Sequence, residues 1–164
     1  ETGNHELKPT VVESNRKNEF DQDLYPKFGS LGVLGQTVKT HGGSGTSNLA
    51  YGLVAYEFEK IDSSYRSSIS VQSSLVIHPI NEFGSQEQKD KYLPPLIKGE
   101  KIGCFGLTES EAGSDPTSMK TSFKKTKDGY IINGSKNWIT NAPIADIFII
   151  WAIEENKDLS LIHI

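Results

Sequence analysis

The chain has 164 residues, 35% of them hydrophobic and 23% charged, with a net charge of −4 at neutral pH. That is enough for one domain of ordinary size, or one domain and part of a second. With no block of lysine and arginine, a nucleic-acid backbone is not the expected partner. No apolar run approaches the roughly 20 residues that cross a bilayer, so no integral membrane segment is expected. The first residues carry no basic, apolar, small-residue export signal. Cys104 is the only cysteine, which excludes a disulfide within the chain and a multi-cysteine zinc site.

Helical patterns fill the first hundred residues. Asn18 to Gly32 reads as a helix with Leu24, Phe28 and Leu31 on one side, and Gly42 to Thr46 as a loop. From Asn48 to Asp62, helical spacing puts Ala50, Val54, Phe58 and Ile61 on one face. Tyr65 to Ile77 is a second, serine-rich helix, whose small side chains permit close approach. His78-Pro79 is expected to end it, because the residue before proline disfavours helical angles. Ser85-Gln86-Glu87-Gln88 has the form of a capping box and should open a short helix stopping before Pro94-Pro95.

After residue 100 the period changes. Ile102 to Leu107, Tyr130 to Ile132 behind a Lys127-Asp128-Gly129 turn, Ile147 to Ile153 and Asp158 to Ile164 read as strands. Asn133-Gly134-Ser135 matches a glycosylation acceptor, but Asn-Gly between apolar runs is first a hairpin turn. The expectation is an α+β chain: an all-helical domain over 1–100, then the start of an antiparallel β-domain over 101–164. So few strands would leave an open edge and a thin core, which reads as a fragment.

The chemistry concentrates in Gly103 to Pro116, GCFGLTESEAGSDP. It could be a plain surface loop, a phosphate cradle or an acidic metal site. No lysine follows Gly113, so the P-loop pattern fails. A metal site would need Glu109, Glu111 and Asp115 to converge, and loop acids are more often solvated. Trp138, among the hydroxyls and amides of Ser135 to Asn141, offers a stacking face for a flat polar ligand, with a core tryptophan as the alternative. His5, His41, His78 and His163 read as structural, and no nucleophile elbow G-x-S-x-G occurs. Arg66 is either a surface ion pair with Asp62 at i, i+4 or a bidentate receptor for a carboxylate, with Glu59 seven residues earlier.

Leu107-Thr108-Glu109-Ser110-Glu111-Ala112-Gly113-Ser114-Asp115 and Asn133-Gly134-Ser135-Lys136-Asn137-Trp138-Ile139-Thr140 together resemble the signature of the flavin-dependent acyl-CoA dehydrogenases. Gly84 to Pro94 is similar to the family's helix ahead of its β-domain. Ser64-Tyr65-Arg66-Ser67, Ser70 to Val76 and Gly103 to Leu107 resemble the glutaryl-CoA dehydrogenases within it. The likeness runs from about Leu7 to Ile153 and departs at Ser110, where the family usually has proline.

The resemblance implies FAD as cofactor. Phe105, Gly106, Leu107 and Thr108 would line the flavin's pyrimidine edge, and Gly113 and Ser114 would approach the pyrophosphate or the acyl-CoA. Trp138, followed by Ile139, would pack on the isoalloxazine, and Thr140 would donate towards N5. Arg66 and Ser67, with Glu59 nearby, would meet the distal carboxylate of glutaryl-CoA, and Ser114 would also contact substrate. The implied reaction is α,β-dehydrogenation with decarboxylation to crotonyl-CoA. Its base is expected beyond residue 164, so no catalytic residue is assigned here and the fragment alone should be inactive. The alternatives are another acyl-CoA dehydrogenase or an acyl-CoA oxidase, or a non-catalytic module. An electron-transfer flavoprotein as acceptor, a homotetramer for the full-length protein, no bound metal, and a mitochondrial matrix or bacterial cytoplasmic location complete the expectation.

Overall fold

A computed structural model describes residues 7–155 and 161–163. The chain divides into two compact units at residue 102, close to the change of period read in the sequence.

The first unit is helical: α1 (Val11–Lys17), α2 (Leu24–Ser30), α3 (Asn48–Glu59), α4 (Ser63–Ser70), a π-helical stretch Val71–Ile77, α5 (His78–Phe83) and α6 (Gln86–Ile97). Its core gathers Leu24, Tyr25, Phe28, Leu34, Phe58, Ile69, Val76, Leu93 and Leu96. The Phe28 and Phe58 rings meet edge-on, with centroids 5.4 Å apart, a geometry favoured by the aromatic quadrupole.

Several expectations change here. The helix expected over Asn18–Gly32 is shorter, Leu24–Ser30, and Leu31 faces solvent rather than the core. An additional helix, α1, precedes it. On α3, Phe58 is buried as expected, but the opposite side exposes Leu49, Leu53 and Tyr56. The helical path does not stop at His78-Pro79. The repeat returns from π to α at that point with Pro79 in the first turn of α5, and the continuous path forgoes the one ladder bond that Pro79 cannot donate. Nor does α6 stop before Pro94-Pro95: it runs to Ile97 because Leu93, Leu96 and Ile97 are all buried. The ladder bonds the two prolines cannot donate are outweighed by that burial.

Other local readings hold. Ser85 and Gln88 cap α6 reciprocally, Gln88 N–H donating to Ser85 Oγ at 3.2 Å and Ser85 N–H to Gln88 Oε1 at 2.8 Å. In the serine-rich helix Ser68 and Ser73 are buried, and the Gly35 N–H donates to Ser73 Oγ at 3.0 Å. Small side chains there do permit close approach.

The second unit is a sheet of β1 (Gly103–Gly106), β2 (Ser122–Thr126), β3 (Gly129–Asn133), β4 (Ile147–Glu154) and β5 (Leu161–His163). It is mixed rather than antiparallel. β1 and β2 each run parallel to β4, while β2–β3 and β4–β5 are antiparallel. Some forty residues separate β1 from β4, and that excursion returns the chain to the end where β1 began. Parallel pairing needs such a crossover of a dozen or more residues. Of the expected last strand, Leu161–His163 is described, and Asp158 to Ser160 and Ile164 lie outside the described residues. Cys104, Ala112, Met119, Phe123, Ile149 and Ala152 form the buried centre of this unit.

Asn133-Gly134 is not a hairpin turn. The β2–β3 hairpin closes over Lys127-Asp128, and Gly134, at φ +151°, lies against Thr121. A Cβ there would sit 2.4 Å from Thr121 Oγ1, so the glycine allows a close backbone approach.

Candidate functional site

At the exit of β1 the chain makes a tight turn. Glu109 N–H donates to Ala112 O at 3.1 Å and Ala112 N–H to Glu109 O at 3.2 Å, closing over Ser110-Glu111. Ser110 is exposed at the second position of this turn, a place that proline favours and serine also accepts. The turn is therefore closed without the proline.

Glu109 is not a solvated loop acid. Its side chain and that of Lys136 are each 8% exposed and pair at 2.7 Å. Lys136 Nζ also donates to Leu107 O at 2.9 Å. Glu109 accepts the backbone N–H groups of Lys120 at 2.6 Å and Thr121 at 3.0 Å. Burial pushes the Glu109 carboxyl up, but those two N–H groups, the Thr121 side chain and the Lys136 ammonium together outweigh it and bring it down to about 2. Glu111 faces outward and pairs with Lys120. Asp115 accepts from Thr117 N at 3.1 Å, capping the turn Pro116–Ser118. The three carboxylates turn to different donors, Glu109 and Glu111 meeting the backbone and the ammonium of Lys120 respectively, and no group of three metal-ligating side chains occurs among the described residues.

The loop between β3 and β4 is anchored to β1 on both sides of its exposed segment. Asn137 N–H donates to Thr108 O at 2.9 Å, and Asn141 Nδ2 donates to Gly103 O at 3.1 Å. Between these anchors Trp138 adopts a left-handed conformation, φ +59°, with 93% of its surface exposed. The core-tryptophan alternative is thereby excluded. Thr140 is exposed, while Ile139 and Thr108 are half-buried. Ser114 and Gly113 are exposed, and a Cβ on Gly113 would meet nothing within 4 Å. Gly106 is buried, with Ile150 Cδ1 2.7 Å from where its Cβ would stand. Phe105, half-buried, packs edge-on against Trp151 with centroids 5.9 Å apart.

The two anchors lay Trp138, Ile139 and Thr140 alongside β1, between its exit at Thr108 and its start at Gly103. An open aromatic plane beside hydroxyls and small residues fits a flat, hydrogen-bonding ring system such as a flavin. Phe105 and Gly106 lie within β1 itself.

Glu59, Arg66 and Ser67 belong to the helical unit. Arg66 Nε donates to Glu59 Oε2 at 2.7 Å, and both side chains are partly exposed. Arg66 is not paired with Asp62. Asp62 is the N-cap of α4 in an extended conformation, and its carboxylate turns back to accept the Ser64 N–H at 2.8 Å. Asp62 still accepts the Arg66 N–H at its carbonyl, at 3.5 Å, but its carboxylate is taken by Ser64 and Asn15. His41, read as isolated in sequence, meets Asp90 at 2.9 Å.

Sequence reasoning passed over the buried Glu109–Lys136 pair and the Asn137 and Asn141 anchors. The partners of Glu109 lie 11 to 27 residues along the chain, so no local pattern marks them.

The models of two families match the chain: Acyl-CoA dehydrogenase, N-terminal domain, over residues 1–100, and Acyl-CoA dehydrogenase, middle domain, over residues 104–164. A short-chain-specific acyl-CoA dehydrogenase of Megasphaera elsdenii is 40% identical over 94% of this chain and 42% of its own length. A mitochondrial isovaleryl-CoA dehydrogenase of Pongo abelii is 42% identical over 89% of this chain and 35% of its own. Among solved structures, a glutaryl-CoA dehydrogenase from Mycobacterium smegmatis in complex with FADH2 superposes with a TM-score of 0.92 at 42% identity. It is covered over 40% of its length by 94% of this chain. The chain thus spans about two fifths of the relatives it matches. It belongs to the acyl-CoA dehydrogenase family, over that family's N-terminal domain and part of its middle domain.

Proposed function

We propose that this chain holds FAD and recognises the acyl end of glutaryl-CoA within an acyl-CoA dehydrogenase. FAD, when bound, supplies hydride-accepting chemistry for α,β-dehydrogenation. Trp138 gives the ring a face to stack on, and the Thr108 and Thr140 hydroxyls are donors to its polar edge. Such donors stabilise negative charge arriving on a cofactor when they are already in place. Gly113 and Ser114 keep the backbone approachable for a phosphate or the thioester.

The observation that carries the substrate reading is Arg66. Glu59 engages it through Nε, and no second ion pair of Arg66 occurs among the described residues. Its Nη edge is then suited to a carboxylate at the far end of the acyl chain, with Ser67 beside it. An aliphatic acyl group would leave the cation without that partner in a desolvated pocket and is disfavoured. The relatives specific for short-chain and isovaleryl groups supply the second reading, a simple aliphatic substrate.

No acid in this chain is assigned as the proton acceptor, so the 164 residues alone should not turn over. An electron-transferring flavoprotein as acceptor and a homotetrameric assembly belong to the same proposal, as does decarboxylation after oxidation. In a flavin-loaded protein of full family length, Arg66→Ala should lower kcat/KM for glutaryl-CoA by about 30-fold or more, from the roughly 2–5 kcal/mol of truncating a charge that bound substrate would pair and bury. Turnover of butyryl-CoA should hold or rise. Equal loss on both substrates would remove Arg66 as the specificity residue.

A further inference from the structure

We propose that the buried Lys136–Glu109 pair is a positioning device that holds Trp138 in its exposed, left-handed presentation. The inference rests on the flavin reading only in naming what Trp138 is presented to. A bulky residue at positive φ is a genuine outlier, kept only where its surroundings over-determine it. At 93% exposure Trp138 gains almost nothing from the core in return. The constraint has to come from its neighbours.

Those neighbours are unusually tied. Lys136 Nζ reaches Leu107 O, Glu109 Oε1 and, at 3.8 Å, Met119 Sδ. Glu109 in turn grips the N–H groups of Lys120 and Thr121. One ion pair therefore binds three segments: the exit of β1, the approach to β2 and the residue two before Trp138. The Asn137 N–H to Thr108 O bond continues the tie, and Asn141 closes the loop on its far side.

A buried ion pair is poor evidence of extra stability, because desolvation offsets much of its attraction and apolar substitutes often match it. It does fix direction. Lys136 and Glu109 are positioning residues, and Thr108, Trp138 and Thr140 are the residues they position.

Fluorine NMR on the chain labelled with 5-fluorotryptophan tests this directly, because only Trp138 and Trp151 report. Trp151, half-buried in β4, is the internal control. Lys136→Met strands a buried carboxylate and is vulnerable to misfolding. The double variant Glu109→Gln/Lys136→Met, which removes both charges at similar volume, keeps the test open. In the double variant the Trp138 resonance should move towards the position of the free label and narrow, while Trp151 stays in place. A Trp138 resonance that does not move, or one that moves only together with Trp151, overturns the proposal. FAD titration of the same variant at full family length separates the two readings. Weaker binding, by about tenfold, alongside a displaced Trp138 signal supports both. A displaced signal with unchanged FAD affinity supports the positioning role and removes the flavin reading.

Discussion

Glu109→Gln should make the β unit less stable at neutral pH and erase its own effect in acid. The wild-type carboxyl is pushed up by burial and pulled down further by the Lys120 and Thr121 N–H groups and the Lys136 ammonium, reaching about 2 against an ordinary 4.5. Each tenfold change in proton affinity is about 1.4 kcal/mol, so the ionised form contributes about 3 kcal/mol to folding. That is a large share of the roughly 5–15 kcal/mol that holds a domain together. Because the folded pKa is depressed, the contribution is complete above pH 4.5 and disappears as pH falls through about 2. The variant lacks the ionisation and should trail wild type by about 3 kcal/mol at pH 7, with the gap closing between those limits. Both tryptophans lie in the β unit, so denaturant unfolding followed by their fluorescence reads that unit. Asp62, Asp90 and Glu111 also have lowered pKa values. They weaken both proteins alike in acid, and the difference isolates Glu109. A gap that is the same at pH 6 and at pH 2 would refute the assignment of this stability to the Glu109 charge.

Gly134→Ala should cost about 2–3 kcal/mol, since it combines φ +151° with a Cβ 2.4 Å from Thr121 Oγ1. Gly113→Ala, with open space around the new Cβ, should leave the thermal midpoint unchanged or raise it by the equivalent of up to about 1 kcal/mol. Any weakening of FAD binding in that variant would then mark a lost close approach; comparing thermal melts with FAD titrations checks both. Gln72, fully buried, donates through Nε2 to Leu96 O at 3.0 Å and Lys101 O at 2.8 Å. Gln72→Leu withdraws both donors and should destabilise the helical unit by about 2–5 kcal/mol, read by far-UV circular dichroism. A loss below about 1 kcal/mol would show that the two carbonyls find other partners.

What could be read along the chain was what the chain decides locally. The capping box at Ser85 and Gln88 and the burial of Phe58 depend on residues three or four apart, and both formed as expected. Pro94-Pro95 is a local stop signal, and it was overridden by the burial of Leu93, Leu96 and Ile97. The parallel pairing of Gly103–Gly106 with Ile147–Ile150 is decided by where a forty-residue excursion returns, which no window of the sequence contains. Trp138 and Glu109 reversed their ordinary environments, the aromatic outside and the acid inside. Departures from local rules of this kind are expected where a site is being held for a ligand.

That reversal also divides the two signature segments by role. Leu107-Thr108-Glu109 and Lys136-Asn137-Trp138-Ile139-Thr140 alternate between residues that tie the loops down and residues that face out. Glu109 and Lys136 turn inward on each other, and Asn137 spends its N–H on Thr108 O. Trp138 and Thr140 are left at the surface. Glu109, weighed in sequence as a metal ligand, therefore does mechanical work with Lys136, and the residues that would touch a bound ring are uncharged. If a flavin stacks at this wall as proposed, an outward carboxylate would repel negative charge arriving on it, whereas hydroxyl donors and an aromatic face accommodate that charge. Burying Glu109 under two N–H groups and an ammonium keeps its charge paired and away from that wall.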